Sequence, residues 1–228
     1  MGGEVYRNIF YLTENRYIKL IYMINSLLED KKCYSRQLNA FSTEYLKTLK
    51  SNILNSPYFG ASQLSGNFIQ TKGFSVIFKR SVIAEVEKVF PYFKPYLDTA
   101  LKSSCNAFYL NPLILESSTY IESHVDCSIS EYGMEMTIPN LVSVLYVYVP
   151  SDLQGGELVL QQSTEQVWEI IPQMNTLLYF LGWTMHSVNP VKSSQKRISL
   201  ICEQYNLSES RLSQIPDFEI KSGVNNKE

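Results

Sequence analysis

The chain has 228 residues, enough for one domain with a sizeable core, and its 45% hydrophobic and 18% charged residues exclude an intrinsically disordered chain. Twenty Lys and Arg stand against 22 Asp and Glu, a formal net charge of −2 with the basic residues scattered, so there is no basic footprint for nucleic acid. Cys33, Cys105, Cys127 and Cys202 lack zinc-type spacing, Met1-Gly2-Gly3-Glu4 has neither a charged nor an apolar leader region, and no apolar run could span a bilayer; free thiols, a cytoplasmic location and no membrane association are expected.

In chain order, Tyr17, Leu20, Ile21, Ile24, Leu27 and Leu28 recur at helical spacing and predict an amphipathic helix. A second helix is expected over 42–54, with Tyr45, Leu46, Leu49 and Ile53 on one side and Asn55-Ser56-Pro57 ending it. Gly73 to Lys79 is rich in aromatic and β-branched residues and reads as a strand. Val82 to Phe90 returns to helix, Pro91 interrupts it, and Pro95 opens another helix to about Leu101.

From Asn106 the pattern becomes short strands with turns between them. Candidates are 107–115, 120–127, 141–149, 157–161, 168–171, 176–180, 186–191 and 197–203. Eight short strands at close spacing suggest a double-sheet jelly roll or barrel, and helices first with strands after give an α+β domain. The expected division is a helical part over about 1–104, a jelly-roll core over about 105–207, together one domain over 1–207, and a polar, mobile tail over 208–228.

The chain contains two histidines. His124 lies in Glu122-Ser-His-Val-Asp126, and His186 follows 62 positions later in Trp183-Thr-Met-His-Ser-Val188. On a strand, residues i and i+2 share a face, so His124 and Asp126 can offer a ring nitrogen and a carboxylate to one metal, with His186 arriving from another strand. Two imidazoles and one carboxylate with open positions beside them form the ligand set of non-heme Fe(II) oxygenases. His-x-Asp alone is more readily a chance tripeptide, and its surroundings carry the weight. Gly155-Gly156-Glu157-Leu158 follows an apolar strand and permits backbone angles that other residues resist. Ile171-Pro172, Leu177 to Phe180, His186-Ser-Val188 and Arg197-Ile-Ser199 then come in order.

Over residues 106–205 this ordered series resembles the 2-oxoglutarate/Fe(II) dioxygenases, most nearly their prolyl-hydroxylase-like branch. The resemblance implies a double-stranded β-helix with N-terminal supporting helices, and Fe(II), 2-oxoglutarate and O2 as cofactor and cosubstrates. His124, Asp126 and His186 would hold Fe(II). Arg197 would pair bidentately with the distal carboxylate of 2-oxoglutarate, and Ser199 matches the family's Arg-x-Ser pattern. The strand 105–111 is similar to one in the oxidative nucleic-acid dealkylases, which places Asn111, with Tyr109 on its face, against the cosubstrate. Tyr146 is another candidate for that contact. Those dealkylases carry a tyrosine where this chain has Leu113 and a second arginine where it has Glu203. The segment 128–140 is a candidate lid or an ordinary connection.

The implied activity is hydroxylation of an unactivated C–H bond in an amino-acid-like small molecule or a peptide residue, with release of succinate and CO2. Asp126 stands where radical halogenases carry a small residue, which favours hydroxylation over halogenation. A non-catalytic cupin-like metal-binding module and a nucleic-acid dealkylase are the alternatives. Arg197 argues against the first and the acidic charge balance against the second. Composition and motifs leave the oligomeric state open.

Overall fold

The first helix of the described chain shows how these elements form. In the computed structural model, which describes residues 33–61, 68–69, 71–133 and 135–222, helix α1 (Thr43–Leu54) starts where the Ser42 side chain accepts a hydrogen bond from the Tyr45 N–H. Glu44 suits the positive end of its dipole. Leu46, Leu49 and Ile53, three and four residues apart, are its buried stripe. Helices α2 (Ile83–Val89) and α3 (Lys94–Ala100) follow, with Pro91 between them and Pro95 in the first turn of α3. The helical pattern at 17–28 lies outside the described residues.

The strands are β1 (Tyr34–Leu38), β2 (Gly60–Ala61), β3 (Phe68–Ile69), β4 (Lys72–Lys79), β5 (Ala107–Leu115), β6 (Tyr120–His124), β7 (Leu141–Tyr148), β8 (Gln154–Gly155), β9 (Leu158–Gln161), β10 (Val167–Ile170), β11 (Thr176–Leu181), β12 (Met185–Val188), β13 (Val191–Lys192), β14 (Arg197–Tyr205) and β15 (Phe218–Ser222). The major sheet runs β1-β11-β7-β14-β5-β4-β15 with β2 beside β4, and the minor sheet runs β10-β9-β12-β6-β3; every pairing is antiparallel. This is the jelly-roll core of a double-stranded β-helix. A two-stranded ribbon, β8 with β13, stands beside the two sheets in chain order.

The helices cover one face of the major sheet. Leu49, Ile53, Val86, Phe90, Phe93 and Tyr96 share a buried cluster with Phe74, Val76 and Phe78 of β4, Phe108 and Leu110 of β5, and Leu200 of β14. All nine residues of β5 are buried, so both faces of that strand are covered. Strand alternation then sends Leu113, Ser199, Tyr146 and Arg197 to the opposite face.

Two expectations need correction. The tail over 208–228 is not a free end in its described part: helix α4 (Glu209–Leu212) is followed by β15, which pairs with β4 from Phe218↔Phe78 to Ser222↔Phe74. Its polar residues suit a sheet edge that meets water on one side. The part before residue 105 also holds β1, an unexpected edge strand of the major sheet, beside β4, the strand expected over 73–79.

Candidate metal and carboxylate site

The register of the minor sheet brings the two histidines together. His186 of β12 lies opposite His124 of β6, and their ring centroids are 4.3 Å apart. Two residues on, Val188 pairs with Ile121, one position further along than a regular ladder would give. This bulge decides which way His124 faces. In an unbroken strand Ile121 and His124, three apart, would point to opposite faces, yet both line the same cavity. Asp126 is not on the strand, as the i, i+2 reading supposed, because β6 ends at His124. The carboxylate is delivered by the turn that follows, which continues into a 3-10 segment, Ser128–Tyr132.

One ligand atom from each of His124, Asp126 and His186 can be chosen so that all lie within 4.8 Å of one another. His124 Nδ1 is 2.8 Å from the Glu122 carbonyl oxygen and His186 Nδ1 is 3.0 Å from that of Thr184. A carbonyl can only accept, so both Nδ1 atoms carry the proton, and in the neutral rings the Nε2 lone pairs are left to bind. These lone pairs meet Asp126: His124 Nε2 is 3.3 Å from Oδ1 and His186 Nε2 is 3.5 Å from Oδ2. Asp126 Oδ2 is buried and without a hydrogen-bond partner.

Burial opposes charge on each of these groups. For His186 burial wins and its pKa falls below the ordinary imidazole value. For His124 burial pulls the same way but the Asp126 carboxylate outweighs it, and the pKa rises. Asp126 is pushed up by burial, yet the two rings hold it below the usual carboxylate range. Acceptors that face one another with one shared negative charge leave a place that a divalent cation fits.

The same cavity, with about 450 Å³ of empty volume partly open to solvent, runs from the triad to Arg197. Its walls are largely apolar: Leu113, Ile121, Val144, Leu158, Phe180 and Val188 among others. Arg197 is 3% exposed. Its Nη1 donates to the Gly156 carbonyl oxygen and its Nε to Ser199 Oγ at 3.4 Å, and no ion pair to it occurs among the described residues. Burial lowers its pKa, with Tyr146 and Glu157 acting the other way. The Tyr146 ring centroid is 5.2 Å from the guanidinium carbon, and the Tyr146 hydroxyl is buried without a partner. A buried cation and a buried donor, both unsatisfied in one cavity, call for an anion with several oxygens.

Comparison with known proteins bears on this directly. The model of the 2OG-Fe(II) oxygenase superfamily matches residues 110–202, the stretch that holds the triad and Arg197. That stretch of the chain matches the 2OG-Fe(II) oxygenase superfamily. Among solved structures, a Trichoplax adhaerens prolyl hydroxylase in complex with a hypoxia-inducible-factor oxygen degradation domain peptide aligns at 15% identity and a TM-score of 0.55, over 91% of this chain and 96% of that one. A Pseudomonas putida prolyl-4-hydroxylase aligns at 14% and 0.54, over 78% and 95%. An oxidoreductase of the 2OG-Fe(II) oxygenase family from Burkholderia pseudomallei aligns at 13% and 0.54, over 80% and 89%. At these identities the likeness is one of fold, and it is the fold of the prolyl-hydroxylase-like branch. The search of curated proteins finds no match. Fe(II), 2-oxoglutarate and O2 are thus the cofactor and cosubstrates of this oxygenase.

Not every expected contact reaches the cavity of the oxygenase. Ser199 lines it, but Asn111 and Tyr109 do not. Asn111 lies one pair further along β5, where its Nδ2 donates to Ser75 Oγ on β4 at 3.0 Å. Tyr109 packs with Ile77, Ile129 and Tyr205 in a separate buried cluster. The Asn111 Nδ2 and the Tyr109 ring are thus engaged by neighbours from β4 and β14, while Asn111 Oδ1 is buried without a hydrogen-bond partner. Tyr146 instead stands on the cavity wall.

Sequence reasoning gave no role to Glu203. It is buried, and its carboxylate accepts from the Ser128 N–H at 3.1 Å, from Ser128 Oγ at 2.5 Å and from the Tyr205 hydroxyl. Burial, with the Asp126 charge adding, pushes its pKa up to about 8. The signal available was parity: Glu203 falls on the face of Arg197, Ser199 and Ile201, a charged residue where an apolar one is expected.

Proposed function

We propose that His124, Asp126 and His186 hold the Fe(II) of this oxygenase, that Arg197 with Ser199 and Tyr146 takes the distal carboxylate of 2-oxoglutarate, and that the enzyme hydroxylates a C–H bond of an amino-acid residue, free or within a peptide. The observation that carries the reading is the buried, unpaired Arg197 guanidinium in the same cavity as the two histidines and the aspartate. A metal-holding module without catalysis has no use for such a carboxylate clamp. When bound, Fe(II) supplies the oxidising chemistry by which one atom of O2 enters the substrate C–H bond and the other enters succinate as CO2 leaves.

The protein's own part is positional. The carbonyls of Glu122 and Thr184 fix the tautomers of both rings, so that their Nε2 atoms face the metal. Gly156 and Ser199 orient the guanidinium fork, and the apolar wall keeps water from its charge. The apolar wall of the cavity suits an uncharged side chain presented on a peptide backbone or an amino acid, and the peptide carried by the Trichoplax relative points the same way. A nucleic-acid substrate would call for basic residues, and the net charge is −2.

The test is a screen of amino acids and short peptides for stimulated succinate release, with the product weighed. A substrate-dependent gain of one oxygen atom supports the reading. Stimulation by methylated nucleic acid with release of formaldehyde, and by no amino acid or peptide, would replace it with dealkylation.

A further inference from the structure

Two anchors converge on the turn that carries Asp126. From inside, Glu203 of β14 receives both polar hydrogens that Ser128 offers, backbone and hydroxyl, and a third from Tyr205. From outside, the C-terminal strand β15 reaches the other end of the 3-10 segment. Tyr132 donates to Glu219 Oε2 at 2.5 Å, Lys221 Nζ is 2.5 Å from Glu131 Oε1, and the same ammonium lies 4.5 Å from the Tyr132 ring centroid. Between the anchors Ile129 is fully buried. The segment 128–132 is therefore fastened at both ends and in the middle, whereas Asp126 itself lies beyond the last ladder pair of β6 and has no strand to hold it.

We infer that Glu203 is a positioning residue for the metal: by clamping Ser128 it holds the Asp126 carboxylate in reach of His124 and His186. The inference rests on the assignment of Asp126 as a ligand. Burial of a carboxylate against Asp126 is costly, and what it provides is the placement of the turn two residues from the ligand. A purely structural role for Glu203 would show in folding stability and leave metal affinity alone. A positioning role lowers metal affinity as well, beside what the loss of three accepted hydrogen bonds costs the fold.

The experiment is anaerobic equilibrium binding of Fe(II) alone to the full chain and to Glu203→Leu, Glu203→Gln, Ser128→Ala and Asp126→Ala, with the thermal midpoint of each metal-free protein measured beside it. Glu203→Leu, which leaves the donors of Ser128 and Tyr205 unpaired, should lower the midpoint and weaken Fe(II) binding about tenfold or more. Ser128→Ala should weaken it several-fold. Glu203→Gln, which keeps an acceptor for the Ser128 N–H, should recover most of the affinity. Fe(II) affinity within twofold of the parent in both Glu203→Leu and Ser128→Ala, with Asp126→Ala defective, overturns the inference. If Glu203→Leu fails to fold, Ser128→Ala decides by the same criterion. Undiminished binding by Asp126→Ala would overturn the ligand assignment instead.

Discussion

Among single residues, Arg197 stands out for its unsatisfied surroundings. A guanidinium this buried with one carbonyl and one hydroxyl for company is an incomplete ion pair. Truncation to Ala should raise the 2-oxoglutarate requirement by the cost of losing one partner of a desolvated charge pair, about 2–5 kcal/mol, with Fe(II) binding largely intact. Arg197→Lys should recover only part of this, because an ammonium cannot reproduce the planar fork. Tyr146→Phe removes a neutral donor and should cost about 0.5–1.5 kcal/mol in the same constant. Steady-state dependence on 2-oxoglutarate checks all three, and an unaltered requirement in Arg197→Ala would contradict the assignment. The functional residue types were legible in the sequence because their spacing and order are unusual. The orientation of His124 was not, since it depends on a bulge that one-dimensional alternation cannot show. Nor was the fate of Asn111, whose amide is claimed by Ser75 from a strand more than 30 residues earlier.

Among the elements, the connection between β8 and β9 ties backbone geometry to the cosubstrate. Gly155 and Gly156 have φ of 71° and 72°, and a Cβ on Gly156 would lie 3.0 Å from Arg197 Nη1 and 3.1 Å from Val191 Cγ2. Gly156→Ala should therefore destabilise the fold by about 1–3 kcal/mol through the left-handed backbone, and should raise the 2-oxoglutarate requirement by displacing Arg197. Gly133 has φ of 81° with nothing within 4 Å of an added Cβ, so Gly133→Ala should cost stability without touching the cosubstrate. Denaturant midpoints and 2-oxoglutarate kinetics of the two variants distinguish strain from displacement; equal effects on the cosubstrate would refute the coupling. The glycine pair announced a special backbone in the sequence, and the strands of the core stood out by their alternation and turns. The strand β15 did not, because a half-exposed edge strand such as Phe-Glu-Ile-Lys-Ser reads as tail until its partner β4 is known.

For the whole molecule, the two sheets have separate tasks. The minor sheet brings His124 and His186 into register, and the major sheet supplies Arg197, Ser199 and Tyr146 from β14 and β7. The helices pack on the far face of the major sheet and leave the cavity side clear. In the proposed arrangement one cavity holds Fe(II) at one end and grips 2-oxoglutarate at the other. Anaerobic visible absorption tests it most directly, since 2-oxoglutarate chelating Fe(II) gives a weak charge-transfer band. The band should appear when Fe(II) and 2-oxoglutarate are added to the protein. It should be lost in His186→Ala at any cosubstrate concentration and regained in Arg197→Ala only at much higher 2-oxoglutarate. A band that survives in His186→Ala, or that titrates identically in Arg197→Ala and the parent, would contradict the account.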